Sequence, residues 1–191
     1  LEPHASRAVV EAIKLESADE VCTIMAFNNL RSVFLLPQGA RDLAERAHKQ
    51  FKVAGSDFLT LLNVWKQFAS HKANRDWIQD NFLNYSTLME ATKVRAQLLD
   101  ILKRIGVVQN KPTSDESIAK AIGAGYADNL LVNTGKGSYR TLRGDNVTVG
   151  IHPLSMVYGS NSSFIIASEI MKTQTVSARQ CQIVDPAWLP E

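Results

Sequence analysis

The sequence is short of the features that mark a disulfide-rich, metal-binding or membrane-spanning protein. Among its 191 residues there are two cysteines, Cys22 and Cys181, and neither has a second cysteine or a histidine at metal-ligand spacing. This pattern predicts two buried free thiols rather than a disulfide framework or a zinc site. No apolar run approaches the roughly 20 residues that a membrane-spanning helix needs, so we expect no membrane contact.

Motifs for catalysis are missing as well. The chain contains no G-x-G-x-x-G, H-E-x-x-H or G-x-S-x-G pattern, and its four histidines are scattered. The segment Asn133–Ser138 reads NTGKGS, but Lys136 is followed by Gly137 where a phosphate-binding loop has Ser or Thr. We therefore interpret this segment as a hairpin turn. From these absences we expect no catalytic residue, no metal ion and no bound cofactor in this chain.

A large excess of one charge is also missing. The chain has 21 basic and 19 acidic residues, which gives a net charge of +2. Division at Gly106 leaves 14 basic and 12 acidic residues before it, and seven of each from it to the end. Binding of nucleic acid by bulk electrostatic attraction is therefore excluded, although a local basic surface is compatible with this composition.

The first half does contain a helical repeat of apolar residues, which continues to Ile105. Ser17 and Glu20 have the S-x-x-E spacing of a capping box and predict the start of a helix. Further along, apolar residues at i, i+3, i+4, i+7 and i+10 define an amphipathic helix: Phe58, Leu61, Leu62, Trp65 and Phe68. A longer helix is expected from Thr87 to Ile105, closed by Gly106. Residues 1–106 are thus predicted to form an all-α bundle.

After Gly106 the pattern changes from helical to strand-like. A polar segment around Pro112 is typical of a linker, and a short helix is expected from Ser117 to Ala124. The apolar period then approaches two, which predicts five strands: Asn129–Asn133, Ser138–Arg143, Val147–Ile151, Phe164–Lys172 and Ala178–Val184. Short strands at this spacing are typical of a small OB-type barrel. The predicted fold class is therefore α+β, with a helical bundle in residues 1–106 and an OB-type β-barrel in residues 107–191.

Cations and an aromatic residue cluster around the first predicted hairpin of this barrel. Lys136, Tyr139, Arg140 and Arg143 are residue types that bind phosphate or stack on a base. Taken alone, a solvated hairpin face is the simpler interpretation of the same residues.

Two further residues have both a functional and a structural interpretation. His152 stands directly before Pro153, where it either contacts a ligand or anchors the end of a strand by a hydrogen bond. Arg95 lies within the long predicted helix, where it either reaches a ligand or pairs with Asp100 or Glu90 on the surface.

The order of short strings along the chain resembles the C-terminal region of the DEAH-box RNA helicases. In the first half, GSDFLTLLNV at Gly55–Val64, the segment from Trp77 to Phe82, and ATKVRAQL at Ala91–Leu98 resemble the ratchet-like, helicase-associated helical domain. In the second half, AIGAGY, SYRTL, IHPLS and DPAWL follow one another as in the OB-fold of that family. The resemblance covers essentially the whole chain, and we expect the chain to be a piece of a longer protein.

The resemblance implies the C-terminal part of an ATP-dependent 3′-to-5′ RNA helicase that lacks the two motor domains. The implied partners are single-stranded RNA, the motor domains of the same parent chain, and a G-patch activator bound at the OB-fold. ATP and Mg²⁺ would belong to the motor domains, so the parent would be an NTP hydrolase while this chain has no ATPase site. The implied location is nuclear or cytoplasmic. The expected RNA contacts are Asn81, Arg95, Lys136, Tyr139, Arg140, Arg143 and His152.

A second function is left open by a departure from the family pattern. After His152 and Pro153 the family has Ser, whereas this chain has Leu154, which lacks a hydroxyl for phosphate. The alternative is a divergent OB-fold that serves as a protein-docking module for a G-patch-type activator or a ribonucleoprotein assembly. The two functions differ in the salt dependence of RNA binding, since only phosphate contacts release counterions.

Overall fold

A computed structural model describes residues 1–109, 111–142, 147–172 and 175–190 of the chain. The chain divides into two compact units. The barrel unit comprises Leu1–Val21, Val53–Leu59 and Gln109–Glu191, and the helical unit comprises Cys22–Lys52 and Thr60–Val108. These two units differ from the two predicted domains, residues 1–106 and 107–191, and the domain boundary at residue 106 stays a prediction. None of the described helices is both long and apolar enough to cross a membrane.

In the described part of the chain, seven α-helices are followed by five strands. The helices are α1 Pro3–Lys14, α2 Ala18–Met25, α3 Arg41–His48, α4 Asp57–Ser70, α5 Arg75–Asp80, α6 Tyr85–Arg104 and α7 Asp115–Gly125. The strands are β1 Leu130–Gly135, β2 Ser138–Thr141, β3 Thr148–Ile151, β4 Phe164–Lys172 and β5 Val176–Ile183. The predicted fold class, an α-helical region followed by an OB-type barrel, is confirmed.

The barrel closes in the strand order β1-β2-β3-β5-β4. The pair β3 and β5 is parallel, and the other neighbours are antiparallel. The β1–β2 turn has three residues with positive φ, namely 100° at Gly135, 53° at Lys136 and 75° at Gly137. Glycine adopts such angles at low cost, so the NTGKGS segment is the predicted hairpin turn. The interior is filled by side chains that are at most 9% exposed: Leu131, Tyr139, Val149, Ile151, Val157, Ile165, Ala167, Ala178 and Cys181.

Helix α1 belongs to the barrel unit because it packs closely on α7. Its buried side is made of alanines, including Ala8, which is fully buried. A Cβ added at Gly125 of α7 would lie only 2.6 Å from the Cβ and backbone N of Ala8, so no larger residue fits there without a shift. Glu2 caps α1, accepting hydrogen bonds from the amide of Ala5 and the hydroxyl of Tyr126, both at 3.0 Å.

Residues 53–59 are held against the barrel by the side chain of Asp57. Its carboxylate accepts hydrogen bonds from the Ser155 hydroxyl at 2.5 Å and from the amides of Met156 and Cys181 at 2.8 Å each. The amide of Ile183 also donates to the Gly55 carbonyl at 2.9 Å. Cys22 and Cys181 are both buried and neither forms a disulfide, as predicted. Burial is the main cause that raises the pKa of the Cys181 thiol, and the charge of Asp57 adds to it.

The capping box expected at Ser17 is not formed. The Ser17 hydroxyl is buried and has no hydrogen-bond partner in the part of the chain that the structure describes. Instead Gln109 caps α2, because its Oε1 accepts from the Asp19 amide at 3.0 Å. Its Nε2 donates to the Glu20 carboxylate at 2.7 Å. The predicted helix start is confirmed, but the side chain that accepts a hydrogen bond from its first turn comes from a distant part of the chain.

Ser17→Ala is therefore expected to leave stability unchanged within about 0.5 kcal/mol, or to raise it, since a buried hydroxyl without a partner is itself unfavourable. Gln109→Ala is expected to cost about 1 kcal/mol, as the loss of a helix cap usually does. Urea denaturation of both variants measures the difference. A loss of about 1 kcal/mol or more in Ser17→Ala would instead support the capping box.

In the helical unit, the long predicted helix is α6, but its apolar stripe is only partly buried. Leu88 and Ala91 are fully buried, as the stripe requires. Ile101 and Ile105 continue the same apolar period but are 52% and 64% exposed, so the stripe is not buried along its whole length. The helix begins at Tyr85 rather than Thr87, because the side chain of Asn84 accepts a hydrogen bond from the Thr87 amide at 3.2 Å.

His48 is a buried histidine of the helical unit. Its Nε2 donates to the Phe82 carbonyl at 2.9 Å, and its ring lies 4.6 Å from that of Phe34. Burial is the main cause that lowers the pKa of His48, and the positive charge of Lys52 lowers it further. The hydrogen bond to the Phe82 carbonyl raises this pKa and so opposes the effect of burial.

The lowered pKa of His48 predicts a pH-dependent stability. Between about pH 6.5, the ordinary pKa of histidine, and the lower folded value, the unfolded chain binds a proton that the folded chain does not. The free energy of unfolding should therefore fall as the pH drops below about 6.5. Urea titrations at several pH values should show a shallower decline for His48→Gln. An equal decline in both proteins would contradict this origin.

Candidate nucleic-acid interface

The two units differ strongly in charge. The helical unit contains 12 basic and 6 acidic residues, a net charge of +6, whereas the barrel unit contains 9 and 13, a net charge of −4. Division of the sequence at Gly106 concealed this difference, because residues 1–21 and 53–59 bring six acidic and only two basic residues to the barrel unit. A polyanion is therefore attracted to the helical unit and repelled, on average, by the barrel unit.

Arg95 is held in a fixed position on α6 of the helical unit. Its Nε donates to the Thr23 hydroxyl at 2.8 Å, and Thr23 is only 2% exposed. Its guanidinium carbon lies 4.8 Å from the centroid of the Trp65 ring. Arg95 pairs with neither Asp100 nor Glu90, and among the described residues no carboxylate lies within ion-pair distance of it. Thr23 thus engages the Nε of Arg95, and the Trp65 ring covers one face of its guanidinium. The two terminal amino groups of the guanidinium can still bind an external anion.

Thr23 and Trp65 are functional candidates that the sequence interpretation missed. The sequence places Trp65 on the apolar side of its helix, and in the structure it is half-buried beside Phe68, with the ring centroids 5.2 Å apart. Nothing in the local sequence of Thr23 links it to Arg95, since 72 residues separate them. Only the contact in three dimensions identifies this pair.

Asn81, the other expected RNA contact in the helical unit, is engaged at both ends of its carboxamide. Its Oδ1 accepts from Gln50 Nε2 at 2.6 Å, and its Nδ2 donates to the Trp77 carbonyl at 2.8 Å. These bonds join α5 to the segment that follows α3. A contact with RNA would have to exchange or share them, so a role of Asn81 in binding stays a prediction.

Tyr139 does not lie on a surface where a base could stack. It is 2% exposed, its ring is part of the barrel interior, and its hydroxyl donates to the Ser162 carbonyl at 2.9 Å. Successive residues of a strand face opposite sides of the sheet. Tyr139 and the neighbouring Arg140 therefore cannot belong to one binding face, and the expectation of base stacking on Tyr139 is corrected.

The remaining candidates of the barrel unit have different environments. Lys136 is exposed at the tip of the β1–β2 turn, and Arg140 is half-buried on β2. His152 is exposed, and its Nδ1 accepts a hydrogen bond from the Leu154 amide at 3.1 Å, which is the anchoring arrangement considered for it. Arg143 lies outside the described residues. Within the described ranges, no group of three or more His, Cys, Asp or Glu residues is arranged to hold a metal ion.

Comparison with known proteins gives matches to the barrel region and to the whole chain. Residues 118–191 match the family described as oligonucleotide/oligosaccharide-binding (OB)-fold. The chain is 31% identical over 193 residues to "Probable ATP-dependent RNA helicase DHX35" of Pongo abelii, and 30% identical over 192 residues to "ATP-dependent RNA helicase DHX33" of Drosophila melanogaster. All of this chain aligns, but it spans only 27% and 28% of those relatives, as their C-terminal part.

Proposed function

The chain belongs with the C-terminal region of the DEAH-box ATP-dependent RNA helicases, and from this relationship we propose that it is the module that contacts single-stranded RNA in such an enzyme. In this proposal the parent protein unwinds RNA in the 3′-to-5′ direction, and its motor domains bind ATP and Mg²⁺. The chain itself guides the strand and hydrolyses nothing.

The observation that carries the proposal is the position of Arg95. A flexible surface arginine loses much side-chain entropy when it binds phosphate, whereas Arg95 is already ordered by Thr23 and Trp65. The planar guanidinium suits both a phosphate and the face of a base. Its location in the unit with a net charge of +6 supports binding of a polyanion there.

Binding of a 12-nucleotide single-stranded RNA to the purified chain tests the proposal. We expect the logarithm of the association constant to fall linearly with the logarithm of salt concentration, with a slope of about −0.7 for each neutralised phosphate. A few contacts should therefore give a slope of about −2 to −3. Absence of RNA binding at low salt, or binding that salt does not weaken, would contradict the proposal.

A second function, protein docking, is supported for the barrel unit by its charge and by the burial of Tyr139. A net charge of −4 disfavours RNA and favours a partner with basic segments, such as an activator of the G-patch type. Under this division of roles, Lys136→Ala should change RNA affinity less than about twofold, since one exposed cation contributes little. A tenfold loss of RNA affinity in Lys136→Ala would show instead that the barrel unit binds the RNA.

A further inference from the structure

Two aromatic side chains of the helical unit lie flat against each other near the start of α5. The ring of His71 lies 4.4 Å from that of Trp77, with only 13° between their planes. His71 is exposed and Trp77 is half-buried. Trp77 is supported from within by an edge contact to Phe51, which is fully buried, at 6.0 Å and 86°. One face of the imidazole is thus covered by Trp77, and the exposed ring has its other face toward solvent.

The imidazole is fixed in orientation as well as in position. Its Nδ1 lies 2.7 Å from the Gln67 carbonyl. A carbonyl oxygen can only accept, so Nδ1 carries the hydrogen and Nε2 is left as the outer ring nitrogen. The ring is therefore held by a hydrogen bond in its plane and by stacking on one face, which leaves the remaining face as a rigid platform.

The turn that brings the two rings together uses an unfavourable backbone conformation. Lys72 and Ala73 have φ of 53° and 56°, in the left-handed region that residues other than glycine rarely adopt. Asn74 then caps α5 by accepting a hydrogen bond from the Trp77 amide at 2.9 Å. Such strained positions concentrate at functional sites. Here the turn places an exposed lysine directly beside the stacked pair in the sequence.

Resting on the proposed function, we propose that His71 and Trp77 form a stacking platform for one unpaired base of single-stranded RNA. His71 supplies the contact face, Trp77 keeps that ring in place, and Lys72 meets the adjoining phosphate. A pre-ordered aromatic face next to cations is the combination by which proteins bind single strands without reading sequence. The net charge of +6 on this unit favours a nucleotide over an uncharged aromatic ligand.

The test measures binding of a fluorescein-labelled 12-nucleotide RNA to the chain and three variants. His71→Ala should weaken binding by about 5-fold to 100-fold, the range for removal of one base-stacking side chain. His71→Phe should restore most of the affinity, because phenylalanine keeps a stacking face but not the hydrogen bond. Tyr158→Ala is the matched control: Tyr158 is a 58% exposed aromatic residue of the barrel unit, and its removal should have less than about a twofold effect.

An RNA in which all bases are replaced by abasic sites separates stacking from charge. The wild-type chain should bind it more weakly, and His71→Ala should cause no further loss on it. If wild type binds RNA with the expected salt slope but His71→Ala binds equally well, the platform is wrong and the proposed function stands. If His71→Phe is as weak as His71→Ala while melting at the wild-type temperature, stacking is also refuted. If wild type does not bind RNA at all, the proposed function itself fails.

Discussion

Asp57→Ala is expected to lower the free energy of unfolding by about 3 kcal/mol or more, because hydrogen bonds to a charged group are each worth about 1.5–3 kcal/mol and amides left without a partner add a desolvation cost. The carboxylate accepts from the Ser155 hydroxyl and from two backbone amides. Its removal leaves the Met156 and Cys181 amides without this acceptor. Urea denaturation followed by circular dichroism measures the loss.

Two further variants show whether the loss comes from this network. Ser155→Ala removes one of the three donors and should cost about 1.5–3 kcal/mol, less than Asp57→Ala. Asp80→Ala removes an exposed aspartate at the end of α5 and should change stability by less than about 0.5 kcal/mol. If Asp57→Ala were no more destabilising than Asp80→Ala, the segment 53–59 would not be held to the barrel through this carboxylate.

Arg95→Ala is expected to weaken RNA binding by about 10-fold to 100-fold, as loss of a charge-assisted hydrogen-bonding fork does. The same variant should lose about 1 kcal/mol of stability, since the hydrogen bond to Thr23 and the contact with the Trp65 ring are removed as well. Fluorescence anisotropy with single-stranded RNA, recorded well below the melting temperature, measures the first effect. Thermal unfolding measures the second.

Three variants show whether the loss of RNA affinity comes from the fixed orientation of the Arg95 side chain or only from its charge. Arg95→Lys keeps the charge but not the planar fork and should recover only part of the affinity. Thr23→Val leaves Arg95 in place without its acceptor and should weaken binding by about 3-fold to 10-fold through lost orientation, which corresponds to about 0.7–1.4 kcal/mol of binding free energy. Arg41→Ala, which removes an exposed arginine paired with Glu45 at 3.1 Å, is the charge-matched control. An equal loss in Arg41→Ala and Arg95→Ala would show that only net charge matters.

Local features were predicted well because neighbouring residues determine them. The β1–β2 turn follows from Gly135 and Gly137, which adopt positive φ without cost. The strands of the barrel were placed within a few residues, since a period of two in apolar residues reflects one buried face. The similarity of the whole chain to RNA helicases was likewise present in the order of short strings.

The expectations that the structure corrects concern which side chains are buried and which are exposed. Ile101 and Ile105 continue the apolar stripe of α6, yet they are exposed, because a stripe shows which side of a helix is apolar but not how far along it a neighbour covers that side. Tyr139 was placed beside Arg140 on one surface although alternation along a strand separates them.

By itself, therefore, the sequence determined most of the secondary structure, the OB-type barrel and the relationship to RNA helicases, because turns and periodicity depend on residues close in the chain. Only the tertiary structure decided what holds Arg95, what caps α2, and that acidic residues gather with the barrel while cations gather with the helices. Each of these depends on groups dozens of residues apart that meet only after the chain has folded, and no local pattern specifies such meetings. The stacked pair of His71 and Trp77 depends on both local and distant residues. A short strained turn brings the two rings together, and the buried Phe51, distant in sequence, supports Trp77.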